Sequence, residues 1–178
     1  MRPLRWTIAP PFAPAMRQMR LPGSLTAWLA RRGEVSVTVL FSGWDTARPD
    51  EAWELGLRPG QRIYAREVCV RCNGVAAVLA RSVTSIIASK GAWNGLHRLG
   101  RRPLADLLWS NPRVARGHFE YFRLPAADPL VQTMACHRPL PARRSTFKLH
   151  GQELIVLEAF VGLPWPDADW QPLQPSKT

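Results

Sequence analysis

The sequence predicts an α+β domain: a six-stranded antiparallel sheet, joined mostly through hairpins, with short helices inserted between strands. Three observations carry this expectation. The dipeptide Asn73-Gly74 separates two β-rich runs, residues 62–72 and 75–84, and both residues tolerate the positive φ that a type I′ turn demands. Residues 151–161 place apolar side chains on both alternating faces, the pattern of a central strand covered on two sides. Between the strand runs, stretches of helical spacing are short and are closed by Gly33, Gly100 and Asn111-Pro112, which stop helices.

In chain order, residues 1–22 are rich in proline and arginine with no sustained period, and are expected to form an extended arm. Residues 23–162 form the domain. Gly23-Ser-Leu-Thr26 opens the first helix, with Ser24 or Thr26 as cap and Leu25, Trp28 and Leu29 on one face. Residues 35–41 alternate over a β-branched run and read as a strand with one wetter face. Residues 42–60, punctuated by Gly43, Pro49, Gly56, Pro59 and Gly60, read as an irregular connection. The Asn73-Gly74 hairpin follows, with Tyr64, Arg66, Val68 and Val70 sharing one face of its first strand. Residues 91–100 and 103–110 are two short helices, the second opened by Pro103 at its first helical position. Residues 114–124 alternate as a strand, 125–142 are a proline-rich loop, and 142–149 pair with 151–161 in a last hairpin about His150-Gly151. Four prolines mark 163–178 as a mobile tail.

Length and composition suit one globular domain: 178 residues, 46% of them hydrophobic. The 24 Lys+Arg against 13 Asp+Glu give +11, and only Lys90, Lys148 and Lys177 are lysines. Such an excess favours anionic partners, but the arginines are spread along the chain rather than gathered in one basic helix, which speaks against nucleic acid. No stretch approaches the roughly 20 apolar residues of a membrane span. Pro10, Pro11 and Pro14 interrupt any secretory segment, so a cytoplasmic monomer without a membrane anchor is expected. Three cysteines, an odd number, fit a reducing compartment. Cys69-Val-Arg-Cys72 has a zinc-like spacing, but a second pair is missing and a regular strand would turn its two thiols to opposite faces. No metal and no organic cofactor are expected.

Two charges stand out because of where they fall. Glu158 interrupts the apolar run 154–161, and Arg66 lies among apolar neighbours on its hairpin strand. An ionised group in a hydrocarbon layer is costly unless compensated. Helix starts at Ser24-Leu25-Thr26 and Pro103-Leu104 add free backbone N–H groups, which suit carboxylates. A carboxylate clamp at one end and a single acceptor at the other would hold a small cyclic acid bearing a hydroxyl. A buried Arg66–Glu158 ion pair is the structural alternative, and the residues alone leave both open.

In this order and at this spacing, several segments resemble the chorismate lyase family: Gly23-Ser-Leu-Thr26, Ala65-Arg-Glu-Val68, Leu79-Ala-Arg-Ser-Val83, Leu99-Gly-Arg-Arg-Pro-Leu104, Ala142-Arg-Arg-Ser145 and 151–161 with its glutamate. The resemblance covers about residues 21–162. It implies helices that lid an internal pocket on a six-stranded sheet. It implies conversion of chorismate to 4-hydroxybenzoate and pyruvate, the entry step to the ubiquinone ring, without cofactors. By position, Arg66 would bind the ring carboxylate with backbone help at Leu25 and Leu104, and Glu158 would accept from the ring hydroxyl. Arg81 is a further candidate, for the second carboxylate. The chain departs from the family pattern at Ala105, in a longer 125–141 and at Val161-Gly-Leu-Pro164. A non-catalytic sensor of small aromatic acids is the alternative function, because ligand-binding domains of GntR-type regulators resemble the same fold.

Overall fold

The structure, a computed structural model, describes residues 6–8, 19–20 and 23–162. Most of the expected arm over 1–22, and the whole tail expected over 163–178, lie outside these residues. Where the N-terminal segment is described it joins the domain: Thr7 exchanges backbone hydrogen bonds with Tyr121, at 3.0 and 2.8 Å, and Met19 is fully buried.

The elements run α1 (Leu25–Ala30), β1 (Val35–Thr46), α2 (Pro49–Glu54), β2 (Arg62–Cys72), β3 (Val75–Ser85), α3 (Ile86–Lys90), a 3₁₀ turn (Asn94–Arg98), α4 (Ala105–Leu108), β4 (Ala115–Arg116), β5 (Glu120–Leu124), α5 (Pro129–Gln132), β6 (Leu140–Leu149) and β7 (Gln152–Phe160). Seven strands form one antiparallel sheet in the order β1-β2-β3-β7-β6-β4, with β5 also paired to β6. The count exceeds the six expected because the 114–124 run is broken. β4 lies along the end of β6 at Phe147 and Lys148, and β5 along its start from Leu140 to Arg144. Gly117 falls in the gap and still donates its N–H to Thr146 O at 2.8 Å, and a Cβ there would meet that oxygen at 3.2 Å.

Two helices emerge from stretches read as irregular. α2 begins at Pro49 with Asp50 and Glu51 in its first turn, and Glu51 accepts from Arg48 N at 3.0 Å. α5 begins at Pro129 behind Asp128, whose carboxylate accepts from Leu130 N at 2.9 Å. Proline at the first helical position and an acidic first turn or cap are start signals, but four to six residues are too few to show a helical period. The helix expected over 91–100 is only a 3₁₀ turn, Asn94–Arg98, and the separate helix α3, Ile86–Lys90, precedes that span. Ser85 caps α3 by accepting from Ala88 N, and Gly91 ends it before the 3₁₀ turn. Gly91 permits close approach to β7, since Ala92 N and Trp93 Nε1 donate to the side chain and backbone oxygens of Gln152 at 2.8 and 3.1 Å.

Helices cover both faces of the sheet, which accounts for the apolar residues on both sides of β7. On one face α1 packs Leu25, Trp28 and Leu29 against Val68, Val70 and Phe160, while Trp93, Leu96 and Leu108 pack against Tyr64, Phe147 and Leu154. On the other, α2 packs Ala52 against Ile63 and Ile155, and α5 packs Leu130 and Val131 against Leu79 and Leu157. Among the described residues no helix is long and apolar enough to cross a membrane.

Arg81 belongs to the second of these faces. Its guanidinium binds Glu51 at 2.7 Å, and Asp45 and Glu67 at 2.8 Å each. Burial alone would lower its pKa, but the hydrogen bonds and charge of Glu51, with those of Asp45 and Glu67, hold it above the ordinary arginine value. Breaking a buried ion pair from one side costs about 3–5 kcal/mol. Arg81→Met, which strips three carboxylates of their shared cation, is expected to lower the urea unfolding free energy by about that amount, and a loss under about 1 kcal/mol would contradict this structural role.

Candidate active site

The opposite face carries its own polar row at mid-strand. Arg66 of β2 pairs in register with Ser82 of β3, Ser82 with Val156 of β7, and Val156 with Ser145 of β6. One step along, Glu158 of β7 stands opposite Ala80 and Arg143. Strand periodicity therefore turns Arg66, Ser82, Arg143, Ser145 and Glu158 to the same side.

Glu158 and Arg66 are not in contact. The cation that compensates Glu158 is Arg143, whose Nε donates to Glu158 Oε2 at 2.5 Å and whose Nη1 donates to Met19 O at 2.8 Å. This corrects the Arg66–Glu158 ion pair raised as the structural alternative. A cross-strand pair directly opposite needs no long reach, and Arg143 is almost wholly buried while the Glu158 side chain stays 15% exposed. That residual exposure opens into a cavity of about 50 Å³. This is well below the roughly 300–1,000 Å³ typical of ligand pockets, so a ring-sized ligand requires the lining segments to move apart.

The helix starts expected to matter line this cavity: Gly23 to Thr26 on one side, Leu104, Ala105, Leu108 and Trp109 on another, with Arg116, Phe147, Val156 and Glu158 completing it. At α1, Ser24 Oγ accepts from Ala27 N and Ser24 O from Trp28 N, at 3.0 and 3.1 Å. The amides of Leu25 and Thr26, in the first turn, have no acceptor among the described residues. The Leu104 carbonyl takes Leu107 N and Leu108 N, and its own N–H likewise finds no described acceptor.

Arg66 is 2% exposed and is not among the lining residues. Its Nη2 donates to Gly100 O and Arg102 O, both at 2.9 Å, fixing the segment that leads into Leu104. Burial lowers its pKa, opposed by the charge of Tyr64, and among the described residues no carboxylate pairs with it. Arg81, the candidate for the second carboxylate, is excluded from the cavity because it lies on the other face, bound to Asp45, Glu51 and Glu67. A β-bulge in the hairpin puts it there: the register shifts between Val70 and Arg71, so Arg81 stands opposite Glu67 and not Arg66.

Sequence reasoning missed Arg143 and Arg116 as site residues. The first was within reach, because a two-residue turn at His150-Gly151 pairs Leu149 with Gln152 and, counted outward, Arg143 with Glu158. Arg116 sits just before the strand break, and no local pattern reveals where a broken strand points. The cysteines take no part: Cys69 packs with Leu79 and Leu157, Cys72 with Leu29 and Val70, on opposite faces. Among the described residues no three His, Cys, Asp or Glu side chains gather as metal ligands.

Fold and site together define the class: an antiparallel α+β domain, covered by helices on both faces, with a small cavity at two helix starts lined by one cation, Arg116, and one anion, Glu158. A sequence model of the chorismate lyase family matches residues 10–165. Similar proteins include the "Probable chorismate pyruvate-lyase" of Albidiferax ferrireducens, 40% identical over 160 residues that make up 83% of this chain and 80% of that one. Another is "Probable chorismate pyruvate-lyase 1" of Pseudomonas fluorescens, 36% identical over 154 residues, 84% and 83% of the two chains. Among solved structures the C-terminal domain of PhnF is similar in fold, with TM-score 0.58 at 19% identity over 79% of this chain and 89% of that one. A GntR-family regulator from Bacillus cereus reaches TM-score 0.56 at 11% identity over 76% and 97%. The chain belongs to the chorismate lyase family.

The Arg143–Glu158 geometry makes an asymmetric prediction. Arg143→Met strands a partly buried anion and should cost about 3–5 kcal/mol of stability. Glu158→Gln keeps an oxygen for Arg143, which also retains Met19 O and the Phe119 ring 4.4 Å from its Cζ, so a loss under about 1.5 kcal/mol is expected. Urea unfolding of both variants checks this, and a costlier Glu158→Gln would contradict it.

Proposed function

We propose that this chain is a chorismate pyruvate-lyase, converting chorismate to 4-hydroxybenzoate and pyruvate in the cytoplasm at the entry to the ubiquinone ring. Family membership over residues 10–165 is the observation that carries the reading. The family-like segments met in the sequence contribute residues to one cavity: Leu25 and Thr26 at α1, Leu104 before α4, and Glu158 on β7. Nothing in the structure favours a sensor, and the likeness to GntR-type domains concerns the fold alone.

Chorismate carries a ring carboxylate, a hydroxyl on the carbon across the ring from it, and on the neighbouring carbon an enolpyruvyl ether with a second carboxylate. Cleavage of the ether C–O bond releases the three-carbon unit as pyruvate. Loss of the ring hydrogen at the hydroxyl-bearing carbon makes the ring aromatic, so the reaction has its own driving force. The protein's contribution is then orientation, exclusion of water and stabilisation of shifting charge.

In this reading the Leu25 and Leu104 amides bind the ring carboxylate. Arg66 adds its charge at that end and holds the segment before Leu104 through Gly100 O and Arg102 O. Glu158 accepts from the ring hydroxyl at the other end, kept in place by Arg143. α1 and the segment from Leu104 to Trp109 form the lid over the ligand. The catalytic unit is the single domain 23–162 acting as a monomer.

The test is direct. Purified protein given chorismate in the presence of EDTA should yield 4-hydroxybenzoate and pyruvate in equal amounts, and a folded protein that yields neither would refute the assignment. Arg66→Ala should remain folded and lose about 100-fold in kcat/KM, as expected when a charged hydrogen-bonding group is removed from an anion site. A folded Arg66→Ala variant with wild-type kinetics would contradict the role given to this arginine.

A further inference from the structure

We propose that Arg116 binds the second carboxylate of the substrate, the one on the enolpyruvyl ether, and so distinguishes substrate from product in the cavity. The inference rests on the lyase reading above. If Glu158 accepts from the ring hydroxyl, covalent structure fixes the rest. The ether is on the adjacent ring carbon, so its carboxylate must fall within a few ångströms of the Glu158 end, away from Leu104 and Arg66.

A carboxylate placed there, beside the anion Glu158, needs a cation, and the other inward-facing arginines are engaged. Arg143 is held by Glu158 and by Met19 O, and Arg66 by two carbonyls at the Leu104 side. Arg116 lines the cavity together with Glu158. Its Nε donates to Ser145 Oγ at 2.9 Å and its Nη1 to Gly23 O at 3.2 Å. Nη2 makes no hydrogen bond among the described residues, and no described carboxylate lies within ion-pair distance of the group. The plane is set before any ligand arrives: Cζ stands 4.0 Å from the Phe119 ring centre and 5.0 Å from that of Phe147. An arginine held flat in this way presents a ready fork to a carboxylate.

The electrostatics agree. Burial pushes the Arg116 pKa down to about 10, with Glu158 opposing the shift and Arg143 adding to it. A desolvated cation beside a second cation is relieved by an added anion. The product 4-hydroxybenzoate lacks this anion, so Arg116 would contribute to holding chorismate and little to holding the aromatic product.

The experiment uses 3-(carboxymethoxy)-4-hydroxybenzoate, which carries an ether carboxylate beside the hydroxyl, and the methyl ester of that side-chain carboxylate. Calorimetry on the wild-type protein should show the acid binding at least about tenfold more tightly than the ester, the lower range for a charged hydrogen bond. Equal binding, or tighter binding of the ester, would overturn the proposal. Arg116→Gln should abolish the preference and Arg116→Lys should keep part of it. In both, affinity for 4-hydroxybenzoate should change less than about threefold, which also reports an intact cavity. An unchanged preference in Arg116→Gln would overturn the proposal. A wild-type protein that prefers the acid but leaves chorismate intact removes the lyase reading alone. One that cleaves chorismate without that preference removes the role of Arg116 alone.

Discussion

The structure depends on how charges are accommodated at the centre of a sheet covered on both faces. β2, β3, β6 and β7 each carry ionisable groups at mid-strand, where hydrocarbon lies on either side. Such groups persist only with partners within reach. Register supplies them: Glu67 stands opposite Arg81, Glu158 opposite Arg143, and Glu120 opposite Arg144. Each apolar layer is thereby divided into two clusters with a polar belt between them.

The two belts differ in kind. On the α2 face, Arg81 and Arg48 share Glu51 and Glu67, Arg48 also meets Asp128, and Arg144 takes Asp50 and Glu120. There each of these arginines is flanked by two or more carboxylates, and the belt joins α2 and the start of α5 to the sheet. On the α1 face Glu158 is the carboxylate in ion-pair contact, while Arg66, Arg116 and Arg143 all turn inward. An excess of inward-turned, buried or half-buried cations beside a cavity and two helix starts is the electrostatic shape of a site for a small anion. The same device, charge inside a sheet, thus gives stability on one side and recognition on the other.

Much of this was legible from the residues. Asn73-Gly74 and His150-Gly151 located the hairpins, the two-sided run 151–161 identified a central strand, and Glu158 marked the cavity wall. What was hidden is non-local or set by irregularity. Counting outward from Asn73-Gly74 in regular pairing would set Arg81 opposite Arg66, in one site. Ala77 is the extra residue that shifts the register, and its carbonyl is taken by Val161 N at 3.0 Å, a contact with the last residues of the domain. The break at Gly117 that divides β4 from β5 also depends on β6, some thirty residues later. α2 and α5 were too short for a period to show, so their proline starts read as loop.

The central claim is that one small acid lies between Glu158 and the two helix starts. A crystal structure of the complex with 4-hydroxybenzoate tests it most directly. The hydroxyl is predicted within hydrogen-bond distance of Glu158, and the carboxylate at the amides of Leu25 and Leu104 on the side held by Arg66. A ligand lying in the reverse direction, or bound outside this cavity, would contradict the claim.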